Sequence, residues 1–258
     1  MKSWFKECRG RSTKLAVAAI SLVMLGSVRV FAAPLLSVDF GTTTSPVETG
    51  FQGFGISTGN TAGPLTTTYT GLDAAQSSGS VTLTLTANNT LTATNNLNAR
   101  DRTTNSTLVD QGSFTNAELY RDIINSSTSV LSLGLSGLNS NTTYAVKFYV
   151  YDDAAGTKTI TFTDLTSGAA GASGSVSFTG GYAFTSTTSN DQFATLLTVT
   201  SDVAGKLVFR AGSSSGSPSI GGVVIQAVPE PASLGLSAFG VVLLGRRRTN
   251  RRVTSLSK

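Results

Sequence analysis

The sequence predicts an all-β protein, an antiparallel β-sandwich of jelly-roll kind over residues 33–226, flanked by an N-terminal leader and a short C-terminal apolar helix. Three observations predict it. Apolar residues recur with period two in many short stretches. Those stretches are separated by Gly, Asn, Asp and Ser turns such as "TGNTAGPLTTTYTG" and "TSGAAGASGSVSFTGG". Amphipathic helices of the length that links parallel strands are missing between them, and no fixed repeat suggests a propeller or solenoid.

Taken along the chain, "LLSVDFG" opens the body, and in "SVTLTLTA" Val81, Leu83 and Leu85 face one way while Thr82, Thr84 and Thr86 face the other. "LSLGLSGL" repeats the pattern with Leu131, Leu133 and Leu135. "TTYAVKFYVYD" sets Tyr144, Val146, Phe148 and Val150 on one face. "TKTITFTDL", "GSVSFTG", "ATLLTVTS", "KLVFRAG" and "IGGVVIQAV" bring the expected strands to about nine. One segment, "TNAELYRDII", fits a short helix carrying Phe114, Leu119 and Ile123 on one side, or equally an irregular loop entering a strand.

Charge is unevenly placed. Twelve of the nineteen Lys/Arg lie in residues 1–32 and 227–258, and the body between them holds seven Lys/Arg against twelve Asp/Glu. An acidic body lacks the phosphate-neutralising surface that nucleic-acid binding requires, so no nucleic-acid partner is expected. At the start, "MKSWFKECRGRSTK" is cationic, "LAVAAISLVMLG" is apolar and "VFAAP" supplies small residues, the layout of a signal peptide over 1–32. Cleavage by signal peptidase is expected after Ala32, because a cut after Ala33 leaves Pro34 next to the scissile bond. An uncut N-terminal anchor is the alternative, against which the apolar run falls short of the roughly 20 residues of a span.

The other end reads as a second address. "ASLGLSAFGVVLLG", residues 232–245, would form roughly 21 Å of helix against a hydrocarbon core of about 30 Å. Arg246, Arg247 and Arg248, with Arg251 and Arg252, would hold its far end on the cytoplasmic side. Pro229 and Pro231 keep the backbone around Glu230 extended. The ordered set Val228-Pro229-Glu230-Pro231, apolar stretch and arginine cluster resembles the PEP-CTERM sorting signal of exported proteins in Gram-negative and related bacteria, here over 227–258. That resemblance implies transient residence in the inner membrane, recognition and cleavage near Pro-Glu-Pro by an exosortase, a membrane cysteine transpeptidase-like enzyme, and delivery to the envelope surface or exopolysaccharide matrix. An ordinary anchor that is never cut is the alternative. Six residues, "VTSLSK", extend beyond the basic cluster. In the body, "VDFGTTTSPVETGFQGFG", "ELYRDII" and "LGLSGLNSNTTYAVKFYVYD" are similar to the β-sandwich bodies of such proteins from Planctomycetes-type bacteria, and loosely to galactose-binding-like and malectin-like modules.

Histidine is absent from the chain, and the single cysteine, Cys8, lies in the leader. Histidine-based triads, histidine-ligated zinc and thiolate sites are thereby excluded. A carboxylate pair is the remaining enzymatic arrangement. The available acids include Asp39, Glu48, Glu118, Asp122, Asp152, Asp153 and Asp191, with Glu118 and Asp122 sharing a face if their segment is helical. A non-enzymatic surface or matrix protein is the main expectation and a carbohydrate-binding module the second. The candidate glycan contacts are Tyr120, Tyr149 and Tyr151 as stacking rings with Arg121, Asp122 and Asp152 as hydrogen-bonding partners, and Phe51, Phe54, Tyr69 and Tyr182 as further rings. Packing beneath a Gly-rich loop accounts for the "GFQGFG" phenylalanines, and a second core layer would account for Tyr149 and Tyr151. No cofactor and no dedicated metal site are expected. A structural calcium on Asp39, Asp152 or Asp153 with backbone carbonyls is the one candidate ion, with solvated turn acids as its alternative.

Overall fold

A computed structural model describes residues 33–92, 95–101, 108–153 and 155–229. The leader call at 1–32, with Ala32, and the sorting-signal residues Glu230, Pro231, Arg246, Arg247 and Arg248 lie outside the described residues, as does the apolar segment 232–245. Among the described residues no helix is long and apolar enough to cross a membrane.

Apart from one helical turn, the regular structure of the described body is all strand. In chain order the elements are β1 (Leu36–Thr42), β2 (Gln52–Ile56), β3 (Gly59–Ala62), β4 (Leu65–Thr70), β5 (Ser77–Thr86), β6 (Asn96–Asp101), α1 (Ala117–Arg121), β7 (Asp122–Ser126), β8 (Val130–Leu138), β9 (Thr143–Tyr149), β10 (Lys158–Asp164), β11 (Ser173–Phe178), β12 (Ala194–Thr200), β13 (Leu207–Ser213), β14 (Ser219–Ile220) and β15 (Gly222–Ala227). A five-stranded sheet runs β12-β9-β15-β1-β2, a six-stranded sheet runs β11-β10-β13-β8-β5-β4, and a four-stranded sheet runs β14-β7-β6-β3. All nine expected strands are present.

The two larger sheets form the sandwich. Phe148 on β9 stacks on Phe162 of β10 at 4.2 Å between ring centres and meets Phe209 of β13 edge-on at 5.1 Å. Cross-strand register puts Val38, Val223 and Phe148 in one row of the five-stranded sheet and Ile225, Val146 and Leu197 in the next. Val81, Leu83, Leu85, Leu131, Leu133 and Leu135 are buried on the facing sheet, as their alternation predicts. The opposite face of that sheet carries hydroxyls in register, with Thr68 on Thr82 at 2.9 Å, Thr159 on Ser177 at 2.8 Å and Thr161 on Ser175 at 2.8 Å. Such branched, short polar side chains suit a solvated pleat.

Two features depart from the expectation. First, β1 and β2 pair in parallel, with Phe40 beside Phe54, across the connection 43–51. Among the described residues every other pairing of these named strands is antiparallel. Second, the expected helix is a single turn. Phe114 precedes it and Ile123 belongs to β7, so Glu118 and Asp122 do not share a helix face. The turn ends at Arg121 because Asp122 takes extended backbone and the chain from there pairs with β6 in the four-stranded sheet.

Candidate functional site

Register decides the fate of the predicted glycan-contact tyrosines. Tyr149 at the end of β9 and Tyr151 just beyond it point away from Phe148, to the side of the five-stranded sheet where Phe51, Tyr120, Phe184 and Phe193 pack over them. Tyr149 retains 5% exposure, Tyr120 and Tyr151 still less. Tyr120 meets Tyr149 edge-on at 6.1 Å and Tyr151 at 6.4 Å, and Tyr151 stacks on Phe193 at 4.9 Å. Their hydroxyls are occupied as well. Tyr120 donates to the Asn190 carbonyl at 2.8 Å, Tyr149 to Asp191 at 3.0 Å and Tyr151 to Asp153 at 2.9 Å. These rings form a second core layer with no face open to a sugar, and the stacking role assigned to them from sequence is corrected accordingly.

Their expected polar partners are also engaged. Arg121 holds Glu118 at 2.6 Å, one helical turn back, and Asp152 lies buried 4.0 Å from Arg100. Asp153 is spent on Tyr151 and on the Gly181 N–H, so Asp152 and Asp153 hold side chains and loops together. Phe54 is buried against Phe40, and Phe51 packs edge-on to Tyr149, as the Gly-rich-loop reading expects.

What the sequence did not reveal is a set of buried carboxylates beneath α1. Asp39 on β1 accepts the Glu48 N–H at 2.7 Å, and Glu48 in turn accepts the Glu118 and Leu119 N–H groups at 3.2 and 3.4 Å. The turn at α1 has no side-chain cap from its own Asn116. Glu48, some seventy residues upstream, supplies it, a charge-assisted contact with donors that would otherwise be orphaned.

Beyond that cap lie Asp39 and Asp122, 3% and 0% exposed. One oxygen of Asp39 and both of Asp122 have no hydrogen-bond partner of normal geometry. Burial pushes the Asp122 carboxyl up to about 8, against the pull of the nearby Ser45 hydroxyl and with Asp101 and Asp39 adding to the push. Burial likewise raises Asp39 to about 7, opposed by the Glu48 N–H and reinforced by the Glu48 and Glu118 charges. Glu48 is raised by burial too. Gly41 lies between them, and a Cβ there would stand 3.0 Å from an Asp122 oxygen. Signals for this cluster were thin, since a β1 Asp and the Asp of "YRDII" sit far apart in the chain and only the fold superposes them.

A wider cleft, about 470 Å3, opens where the ends of β9 and β12 approach the β10–β11 turn. Thr143, Thr166, Thr198, Thr200, Asp164 and Asp202 line it, with no aromatic ring. The Thr143 and Thr200 hydroxyls are 3.2 Å apart. Asp164 caps its turn through the Thr166 N–H and hydroxyl, and Asp202 holds the Ala204 and Lys206 N–H groups at 2.8 Å.

At the end of the body, β15 finishes at Ala227, Val228 donates to the Thr143 carbonyl at 2.8 Å, and Pro229 is exposed. Residues 227–252 match the family model of the PEP-CTERM protein-sorting motif, so the chain carries that motif directly after its last strand. No curated protein matches the chain. Among solved structures it is similar to a β-glucuronidase of Bacteroides uniformis, at 10% identity and TM-score 0.30 over 55% of this chain and 15% of that one. It is also similar to the carbohydrate-binding module CBM6cm-2 of Cellvibrio mixtus lichenase 5A, solved with cellotriose, at 14% identity and TM-score 0.25 over 75% and 98% of the two chains. A third, TmCBM61 in complex with β-1,4-galactotriose, shares 16% identity at TM-score 0.22 over 50% and 77%. The chain thus spans only about 15% of the glucuronidase.

Proposed function

We propose that this chain is an exported, non-enzymatic surface or matrix protein whose C-terminal motif is recognised and cut by an exosortase. The match of residues 227–252 to the sorting motif carries this reading. Its parts have separable tasks. The leader brings the chain to the membrane, where signal peptidase cuts beside Ala32 and Ala33. The short apolar segment then stays in the inner membrane, halted by Arg246, Arg247 and Arg248. Pro229, Glu230 and Pro231 present an extended backbone to the transpeptidase, and the released body remains at the envelope surface or outside the cell. Exposure of Pro229 just past the final sheet hydrogen bond favours access to that backbone.

Mass spectrometry of the chain from cells with and without an exosortase tests this. The expected product with the enzyme ends near Pro-Glu-Pro. Replacing Pro229, Glu230 and Pro231 together by alanine is expected to abolish the cut and leave the chain in the membrane fraction. Recovery of an intact "GRRRTNRR" terminus from the surface fraction of exosortase-bearing cells would overturn the reading.

The hydroxyl-lined cleft favours a second reading, binding of a neutral polysaccharide through hydrogen bonds instead of ring stacking. Its volume falls in the range of ligand sites. Thr198→Ala with Thr200→Ala is expected to weaken retention of the full chain in polysaccharide-containing native gels by about fivefold or more, with the melting temperature unchanged. Equal mobility with and without polysaccharide for the unaltered chain would remove this reading.

A further inference from the structure

Asp39 and Asp122 face one small cavity between the outer side of β1–β2 and the start of β7. Gly41, Thr42, Ser45, Gly53 and Gly55 complete most of its wall, and it holds about 10 Å3, room for one water-sized particle. Three carboxylate oxygens, Oδ1 of Asp39 and Oδ1 and Oδ2 of Asp122, are buried there without a hydrogen-bond partner of normal geometry, with the Ser45 hydroxyl and the Asp101 carboxyl close beside Asp122. The hydroxyls of Thr42 and Ser45 stand at the same wall, 2.6 Å from each other. No three acidic side chains converge on a common metal position among the described residues, so any ion here is held by two carboxylates and uncharged oxygens.

That donor set is specific in kind. Every available atom is a hard oxygen, which suits alkaline-earth cations and not zinc or copper. Two carboxylates carry two negative charges when ionised, and a divalent cation neutralises both, whereas a water molecule neutralises neither. Magnesium keeps several of its own waters and demands an octahedron, for which a one-particle space has no room; calcium takes carboxylate and hydroxyl oxygens directly in irregular geometry. The short residues at 41, 53 and 55 leave the space open, and a side chain at Gly41 would meet Asp122. We propose that the cavity formed by Asp39 and Asp122 against the glycine-lined side of β1–β2 is a calcium site that ties the first strand to the β7 segment.

Metal ligands must be ionised, so the full-length chain is stripped with a chelator and calcium chloride is added at pH 8. Isothermal titration is expected to give one ion per chain. Calcium at about 100 times its Kd is expected to raise the melting temperature by about 5–10 °C. Asp39→Asn and Asp122→Asn keep the shape of each side chain and are expected to remove both the heat and the shift, while Asp73→Asn, in an exposed turn, keeps them. Magnesium chloride at the same concentration is expected to do little. An unchanged melting temperature without binding heat in the unaltered chain would overturn the proposal, and needs no variant to fold. A calcium shift that survives in both Asn variants, or an equal response to magnesium, would overturn it as well.

Discussion

Phe148→Ala is expected to lower the stability of the chain by about 3–5 kcal/mol, a fall of about 6–20 °C in melting temperature. The ring is fully buried at the centre of the sandwich. It is the point where β9 of one sheet meets both β10 and β13 of the other, through a near-parallel stack on Phe162, 5° between planes, and an edge contact with Phe209. Truncation removes the transfer energy of the ring and leaves a cavity that two extended sheets, each pinned by its own ladder, cannot close. Leu196→Ala on edge strand β12 is the matched comparison, since that side chain is 56% exposed, and it is expected to cost less than about 0.5 kcal/mol. Chemical denaturation followed by near-ultraviolet circular dichroism of the buried tyrosines measures both. Equal losses would show that the aromatic stack does not join the sheets.

Gly205→Ala is expected to cost at least about 2 kcal/mol although it adds one methyl group. Gly205 sits at φ +68° in the turn between β12 and β13, and a Cβ built there would stand 2.0 Å from the Leu138 carbonyl oxygen. That contact is with backbone at the end of β8, and the Leu138 N–H donates to Gly205 itself at 3.1 Å, so relief means losing a bond that ties the turn to the sheet. Gly168 separates the two causes. Its φ is +82° and nothing lies within 4 Å of a Cβ there, so Gly168→Ala carries only the left-handed backbone penalty of about 1 kcal/mol. If the two variants melt alike, steric contact with β8 contributes nothing.

The strands that sequence made most visible are those whose apolar residues alternate against threonine or serine, as in β5, β8 and β10. Those it missed have other reasons to be strands. β3 reads "GNTA" and β6 "NLNARD", and they form because neighbours are positioned to pair with them, with only Leu97 and Ala99 reaching the core. β2 is glycine-rich because its outer side is closely approached, which a single-sequence pattern cannot separate from a loop. Alternation in "YAVKFYVYD" correctly assigned Phe148 to the sandwich but was silent on whether the other side was wet. That depended on Tyr120, well upstream, and Phe193, well downstream, folding over Tyr149 and Tyr151. The carboxylate cavity was less legible still, because the burial of Asp122 follows from the one-turn length of α1 and the parallel placement of β2, both tertiary outcomes. The sorting motif, by contrast, is an order of residues along the chain, and its match over residues 227–252 falls within the stretch where sequence placed it.

The position of β15 bears on timing. Among the described strands β1 comes first in the chain, yet it finds one of its two neighbours only in Gly222–Ala227, the last of them. β9 waits for the same residues on its other side. The five-stranded layer therefore lacks its middle member until Gly222–Ala227 is in place, and closing it means joining segments far apart in the chain, a slow, entropy-limited event.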